Sequence, residues 1–229
     1  MKEYFVDIKV EENRDVQHCL QFAFAAALNA FGMPEMRMEE IEEATGYHEV
    51  GTWPFSMIGW FADHGFEVRH IEDTNFERFI DDPQAEFRSQ GLDEKAINLY
   101  FEITDFDFES AALRRALDSA SVEFVRRLPE IADIQKALAE GWLPLVSLNA
   151  AVLIGRESED FEGHMVLATG ASEHALRVQD PGPPAQRDLD VKFGVVLAAL
   201  RDPTENSGTV TLVRRASRKG GDQHVRNPR

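Results

Sequence analysis

Cysteine is nearly missing from this chain: 229 residues carry a single one, Cys19. One thiol excludes an internal disulfide and any metal cluster built on cysteines. Long apolar runs are missing too. None approaches the roughly 18 residues needed to cross a bilayer, so no membrane partner is expected. The opening segment Met1 to Val10 reads as a short strand, with Glu3 and Asp7 where a secretory signal keeps an unbroken apolar core. The expected location is cytoplasmic. Positive charge is the third scarcity, with 24 Lys and Arg against 41 Asp and Glu and a formal net charge of -17. Such a surface repels a phosphate backbone, which argues against nucleic acid as a partner of the acidic body.

The few basic residues are unevenly placed. Arg214 to Arg229 hold six Lys or Arg against one Asp, which leaves a net charge of -22 on Met1 to Val213. This basic tail has two readings: a solvated, flexible terminus, or a tether that folds back on the acidic surface or holds an acidic partner. Internal repeats and low-complexity tracts are absent.

What is present is ample core material, 43% hydrophobic residues with 16 Phe among them. Cys19 to Phe31 is alanine-rich, free of Gly and Pro, and stops at Gly32, which predicts a helix buried on most sides. Met38 to Thr45, closed by Gly46, and Pro54 to His64 read as two more helices. Phe66 to Ile71 alternates like a half-buried strand. Thr74 to Arg88 reads as an acidic amphipathic helix kinked or divided at Pro83. Ala96 to Ile103 reads as a strand, and Glu109 to Ala120 and Glu130 to Glu140 as surface helices. Leu143 to Leu148, His164 to Thr169, Ala175 to Gln179 and Thr209 to Val213 then read as strands. Helices first and strands afterwards predict an α+β fold, with the Cys19 helix packed against an antiparallel sheet.

The chemistry-bearing residues fall in the order Cys19, His164, Asp180. A thiol at a helix start meets free N-H groups and the positive end of the peptide dipoles, both of which favour thiolate. Lone cysteines are also common as small buried hydrophobes, so Cys19 alone carries either reading. His164 opens a core strand beside Gly163. A turn at Gly170 to His174 would return the chain antiparallel and deliver Asp180 next to His164. Asp180 could then accept from one imidazole nitrogen while the other faces Cys19, although Asp before Pro181 is also a plain turn former. The remaining histidines, His48, His64, His70, His174 and His224, show no ligand spacing that suggests a metal site, and no cofactor is expected.

In these residues the chain resembles the papain-like cysteine peptidase superfamily, in particular the branch similar to double-glycine leader peptidases and their uncharacterised bacterial relatives. The resemblance rests on the Cys19 to Gly32 helix, Gly51-Thr52-Trp53-Pro54 with Gly65 to Val68, and Glu140 to Asn149. Gly163-His164-Met165-Val166 and Val178-Gln179-Asp180-Pro181-Gly182 complete the set, which spans roughly Asn13 to Val213. It implies a single papain-like domain over residues 1–213, an N-terminal catalytic helix against a C-terminal antiparallel sheet, and a Cys-His-Asp triad acting on a peptide or other amide. Leu20-Gln21 stands where the family has Gly-Pro. The family's oxyanion glutamine corresponds to Asn13, with Gln17 as a nearby substitute. His18 is read as solvent-facing or as a local helix cap, and Trp53 and Trp142 as core residues or cleft walls. Two classes of function follow: a cysteine-dependent hydrolase, or a catalytically reduced papain-like domain that binds a peptide or protein partner. Nothing in the sequence sets an oligomeric state.

Overall fold

The computed structural model describes residues 4–5, 17–48, 52–156 and 162–216. The chain opens with strand β1 (Tyr4–Phe5), followed by helices α1 (Cys19–Ala30), α2 (Met38–Thr45) and α3 (Phe55–Asp63). Strand β2 (Phe66–Glu72) leads into α4 (Phe76–Asp81), α5 (Pro83–Ser89), α6 (Glu94–Ile103) and α7 (Phe106–Leu117). Then come β3 (Val122–Arg126), α8 (Ile131–Ala139), β4 (Leu143–Asn149), α9 (Ala150–Leu153), β5 (Gly163–Ala171), β6 (Ala175–Asp180), β7 (Gln186–Lys192), α10 (Phe193–Leu200) and β8 (Thr209–Arg215).

One mixed sheet joins these strands in the order β3-β2-β8-β4-β5-β6-β7, with β1 pairing antiparallel to β5. Helices pack on it to give an α+β fold. The expectation of an antiparallel sheet confined to the C-terminal part needs correcting. β2 and β3 come from the middle of the chain and pair in parallel, and the four helices between them supply the crossover that parallel pairing requires. Both faces of the sheet are covered. Leu143 and Leu145 of β4 join one core with α1, α3 and α7, while Val146 and Leu148 join a second with α8 and α10. Side chains on a strand alternate between faces, so one strand serves two cores.

Local chemistry explains most element ends. Asp82 accepts from the Ala85 N-H and Pro83 occupies the first turn of α5, so the acidic segment divides into two helices rather than kinking. Ala96 to Ile103, expected as a strand, lies within α6. Asp93 caps it by accepting from the Ala96 N-H, and Ile97 is its buried residue. That cap, together with a one-sided contact surface, overrides the β-prone composition of the segment. The helix expected over Glu109 to Ala120 starts earlier, at Phe106 under Asp105, and buries Ala112, Leu113 and Ala116. β8 continues through Arg215, past the Val213 at which the body was expected to end.

A buried polar chain ties α4 and α5 to the sheet. His70 meets Thr211 Oγ1 through Nδ1 and Glu72 through Nε2, each at 2.8 Å. Thr74 donates to Glu72, Gln90 donates to Thr74 and to Glu86, and Glu86 accepts the Asn75 N-H. Each member has a partner, the condition under which a buried network rigidifies a fold.

Glu109, outside this network, is one of the buried side chains with an atom left unpaired. It is 2% exposed, its carboxyl accepts the Trp53 N-H, and Oε2 has no partner. Burial pushes its pKa up to about 8, the Trp53 bond offsets part of this, and the charge of Asp105 adds to it. The unfolded carboxyl ionises near 4.5 and the folded one near 8, so the folded state holds the extra proton between those values. Stability from this group is therefore lost as pH rises through that window. Urea denaturation of the wild type and Glu109→Gln at pH 5 and pH 8 checks this. The wild type should lose on the order of 4 kcal/mol relative to the variant, and a constant difference would show that Glu109 is not held neutral.

Candidate active site

Cys19 is the first residue of α1. His18 precedes it without a side-chain cap, and no acidic residue occupies the first turn. Leu20, Ala23, Phe24, Ala27 and Leu28 are buried along the helix, and Cys19 is half-buried against the same core. α1 lies across β5, so its start is brought to the strand that carries His164.

His164 is the second residue of β5, and Asp180 is the last residue of β6, which runs antiparallel to β5. The hairpin brings both to one end. His164 Nε2 lies 2.7 Å from Asp180 Oδ1, with side-chain exposures of 10% and 5%. Asp180 Oδ1 also accepts the Gly182 N-H at 2.8 Å. Gly182 has φ +75, and a Cβ there would lie 2.1 Å from the Pro184 carbonyl carbon, so glycine is required for this turn.

Cys19 is the other partner of the imidazole. Burial alone lowers the His164 pKa, but hydrogen bonds from Asp180 and Cys19 and the charges of both outweigh it, and the value is pushed up to about 10. Nε2 is the nitrogen engaged by Asp180, and Cys19 is a second group that favours the protonated ring. The arrangement can hold a proton between sulfur and nitrogen while the carboxylate fixes the tautomer.

The other expected residues divide. Gln17 is exposed and its Oε1 accepts from the Tyr47 hydroxyl at 3.3 Å. Asn13 lies outside the described residues. His18 is half-buried and its side chain makes no cap hydrogen bond: its ring stacks on Tyr47 with centroids 4.1 Å apart, and Nε2 lies 3.2 Å from Glu42 Oε1. Trp53 belongs to an aromatic cluster with Phe55, Phe79, Phe87 and Phe106, and Trp142 is 7% exposed beneath the Arg214 guanidinium. Both are packing residues.

Sequence reading missed the contacts that Glu42 and Tyr47, at the end of α2, make with His18, the residue before Cys19. Residues 24 and 29 positions away from His18 carry no local signal. α2 is fixed by Gln21, wholly buried on α1, whose Nε2 donates to Thr45 Oγ1 at 2.9 Å. It ends at Gly46, φ +67, where a Cβ would approach Ser56 Oγ to 2.6 Å and Phe108 Cε1 to 2.8 Å. Among the described residues no cluster of three His, Cys, Asp or Glu side chains could hold a metal ion, and no helix is long and apolar enough to cross a membrane.

The His164 contacts have a consequence for stability. The folded imidazole keeps its proton to about pH 10 against 6.5 for the free group. Its contribution is complete below 6.5 and lost as pH rises through 10. Denaturation at pH 6 and pH 10 should show the wild type losing about 2–4 kcal/mol relative to His164→Gln. Parallel losses in the two proteins would mean that the imidazole is not held protonated.

No protein-family model matches the chain, and no characterised protein matches it in sequence. Among solved structures it is similar to the peptidase domain of Streptococcus ComA, described as a bi-functional ABC transporter involved in a quorum sensing pathway. The TM-score is 0.46 at 12% identity, covering 89% of this chain and 96% of that one. It is also similar to a double-glycine motif protease from an AMS/PCAT transporter, solved in complex with the leader peptide. Here the TM-score is 0.45 at 9% identity, covering 92% of this chain and 94% of that one. Both likenesses are remote and extend over most of the chain.

Proposed function

We propose that this protein is a cysteine-dependent hydrolase with a papain-like domain over residues 1–213, acting on a peptide or other amide bond. The observation that carries the reading is one imidazole held between a carboxylate and a thiol: His164 with Asp180 on one nitrogen and Cys19 as its other partner. A structural cysteine needs neither companion.

In this reading the Cys19 sulfur, as thiolate, attacks the carbonyl carbon. The resulting oxyanion is held by the Cys19 backbone N-H at the start of α1 and by the side-chain amide of Asn13 or Gln17. The tetrahedral intermediate collapses as the His164 imidazolium gives its proton to the departing amine, which leaves a thioester on Cys19. Water then attacks the thioester, His164 takes a proton from it, and the acid is released with Cys19 restored. Asp180 keeps the ring oriented throughout. Transfer of the acyl group to an amine in place of water uses the same residues.

The alternative is a domain that binds a peptide without turnover, favoured by Leu20-Gln21 at the helix start, where Gln21 is committed to Thr45. Capture by a library of electrophilic peptides and amides, read by intact mass, separates the two. Selective labelling of Cys19, absent in Cys19→Ala and slowed at least about tenfold in His164→Ala at pH 7, is expected for the hydrolase. Saturable binding without an adduct would support the binding domain. A thiol labelled only after unfolding would remove Cys19 from any mechanism.

A further inference from the structure

α2 has a second side, turned away from Cys19. Between α2, α3 and α7 runs an open groove of about 1060 Å³, with Trp60 and Phe108 among its lining residues. Its charge is one-sided. Glu35, Glu40, Glu43, Asp63 and Asp118 line it against a single basic residue, Arg115. Glu40 is engaged by Arg37, whereas Glu35, Glu43, Asp63 and Asp118 have no ion-pair partner among the described residues. An apolar strip bordered by unpaired carboxylates fits a basic chain segment that also carries some apolar side chains.

Such a segment leaves the fold beside this groove. The last described residue, Ala216, donates its N-H to the Gly65 carbonyl at 3.0 Å, two residues beyond Asp63. Just before it, Arg215 donates to the Phe31 carbonyl at 2.6 Å and sets its guanidinium over Phe66. His64 stacks on Trp60 with centroids 3.7 Å apart, so the chain leaves β8 next to a groove residue. Residues 217–229 carry Arg218, Lys219, Arg226 and Arg229 against Asp222, with Val225 and Pro228 between them. Thirteen residues reach up to about 45 Å when extended, several times the roughly 14 Å length of α3.

We infer that residues 217–229 dock in the groove between α2, α3 and α7 of their own chain, pairing Lys and Arg with its unpaired carboxylates. The exit point and the opposite charges single out this occupant over a second copy or a separate basic peptide. The surface is distinct from the Cys19 site, and the inference stands whether or not Cys19 is a nucleophile.

Zero-length carbodiimide coupling of the full chain provides the test. It joins a lysine amine to a carboxylate with loss of water, and Lys219 is the only lysine in the segment. Mixing isotope-labelled and unlabelled protein separates links within one chain from links between two. Lys219 should couple within the chain to Glu35, Glu43 or Asp63, and the yield should fall at least about fivefold in 1 M salt. Glu43→Gln with Asp63→Asn should shift the remaining links to Glu35 or abolish them. A second measurement uses full-length Arg218→Glu with Lys219→Glu, in which acrylamide quenching of tryptophan should rise as Trp60 is uncovered. Links scattered over remote carboxylates such as Glu123 and Glu140, links mainly between chains, or unchanged quenching would each overturn the inference.

Discussion

The pairing of β5 is the constraint on which the candidate site depends. This strand bonds to β4, β6 and β1 and carries α1 across its surface. Its register is specified twice over, because Met165 and Leu167 enter one core while Val166 and Ala168 enter the other. A slip of one residue would exchange those side chains between faces and carry His164 away from Asp180. The position of the His164 imidazole is thus secured by apolar side chains elsewhere along the strand. The β5–β6 pair also contains a register shift between Ala168 and Gly170, toward the opposite end from His164, and β6 shifts register against β7 between Val178 and Asp180.

Two buried histidine–carboxylate pairs occur in the described fold, and comparing them separates structure from reactivity. His70 and Glu72 meet at 2.8 Å, and His164 and Asp180 at 2.7 Å. The difference lies at the second ring nitrogen. His70 spends it on Thr211, a hydroxyl within the same sheet, and is wholly buried. His164 is directed by its carboxylate toward a half-buried thiol at a helix start. The first pair is closed on itself, whereas the second retains a neighbour whose chemistry depends on where the proton rests.

How much of this was legible from the sequence varies with the range of the forces involved. The α1 helix follows from composition and Gly32, and the β5–β6 hairpin from alternation and a polar turn, all within short windows. Phe66, Val68 and His70 share the inward period of β2, so the burial of His70 was implicit in the same pattern. α6 was misread because Tyr100 and Phe101 suit a strand, and the Asp93 cap outside the segment decided otherwise. β7 was missed because Gln186 to Lys192 carries only Leu189 and Val191 as inward apolar residues among five polar ones, as an edge strand tends to. β3 exists only through its parallel pairing with β2, some fifty residues earlier in the chain. The residues around Cys19 divide likewise: His164 and Asp180 are linked by one hairpin, whereas Glu42 and Tyr47 reach His18 only through helix packing.

Gly46 shows what that packing imposes on the history of the sequence. It sits where α2 turns into the segment bearing Tyr47, pressed against α3 and α7 in a left-handed conformation. Tyr47 or Glu42 can be exchanged in single steps, each altering one contact to His18. Position 46 is held more tightly, because a Cβ there would press on both Ser56 Oγ and Phe108 Cε1 and still carry the left-handed penalty of roughly 1 kcal/mol. A side chain at 46 therefore calls for both neighbours to give way. The contacts to His18 are thus placed as a block by the packing of Gly46 on α3 and α7, and a change at Tyr47 or Glu42 alters their chemistry rather than their angle.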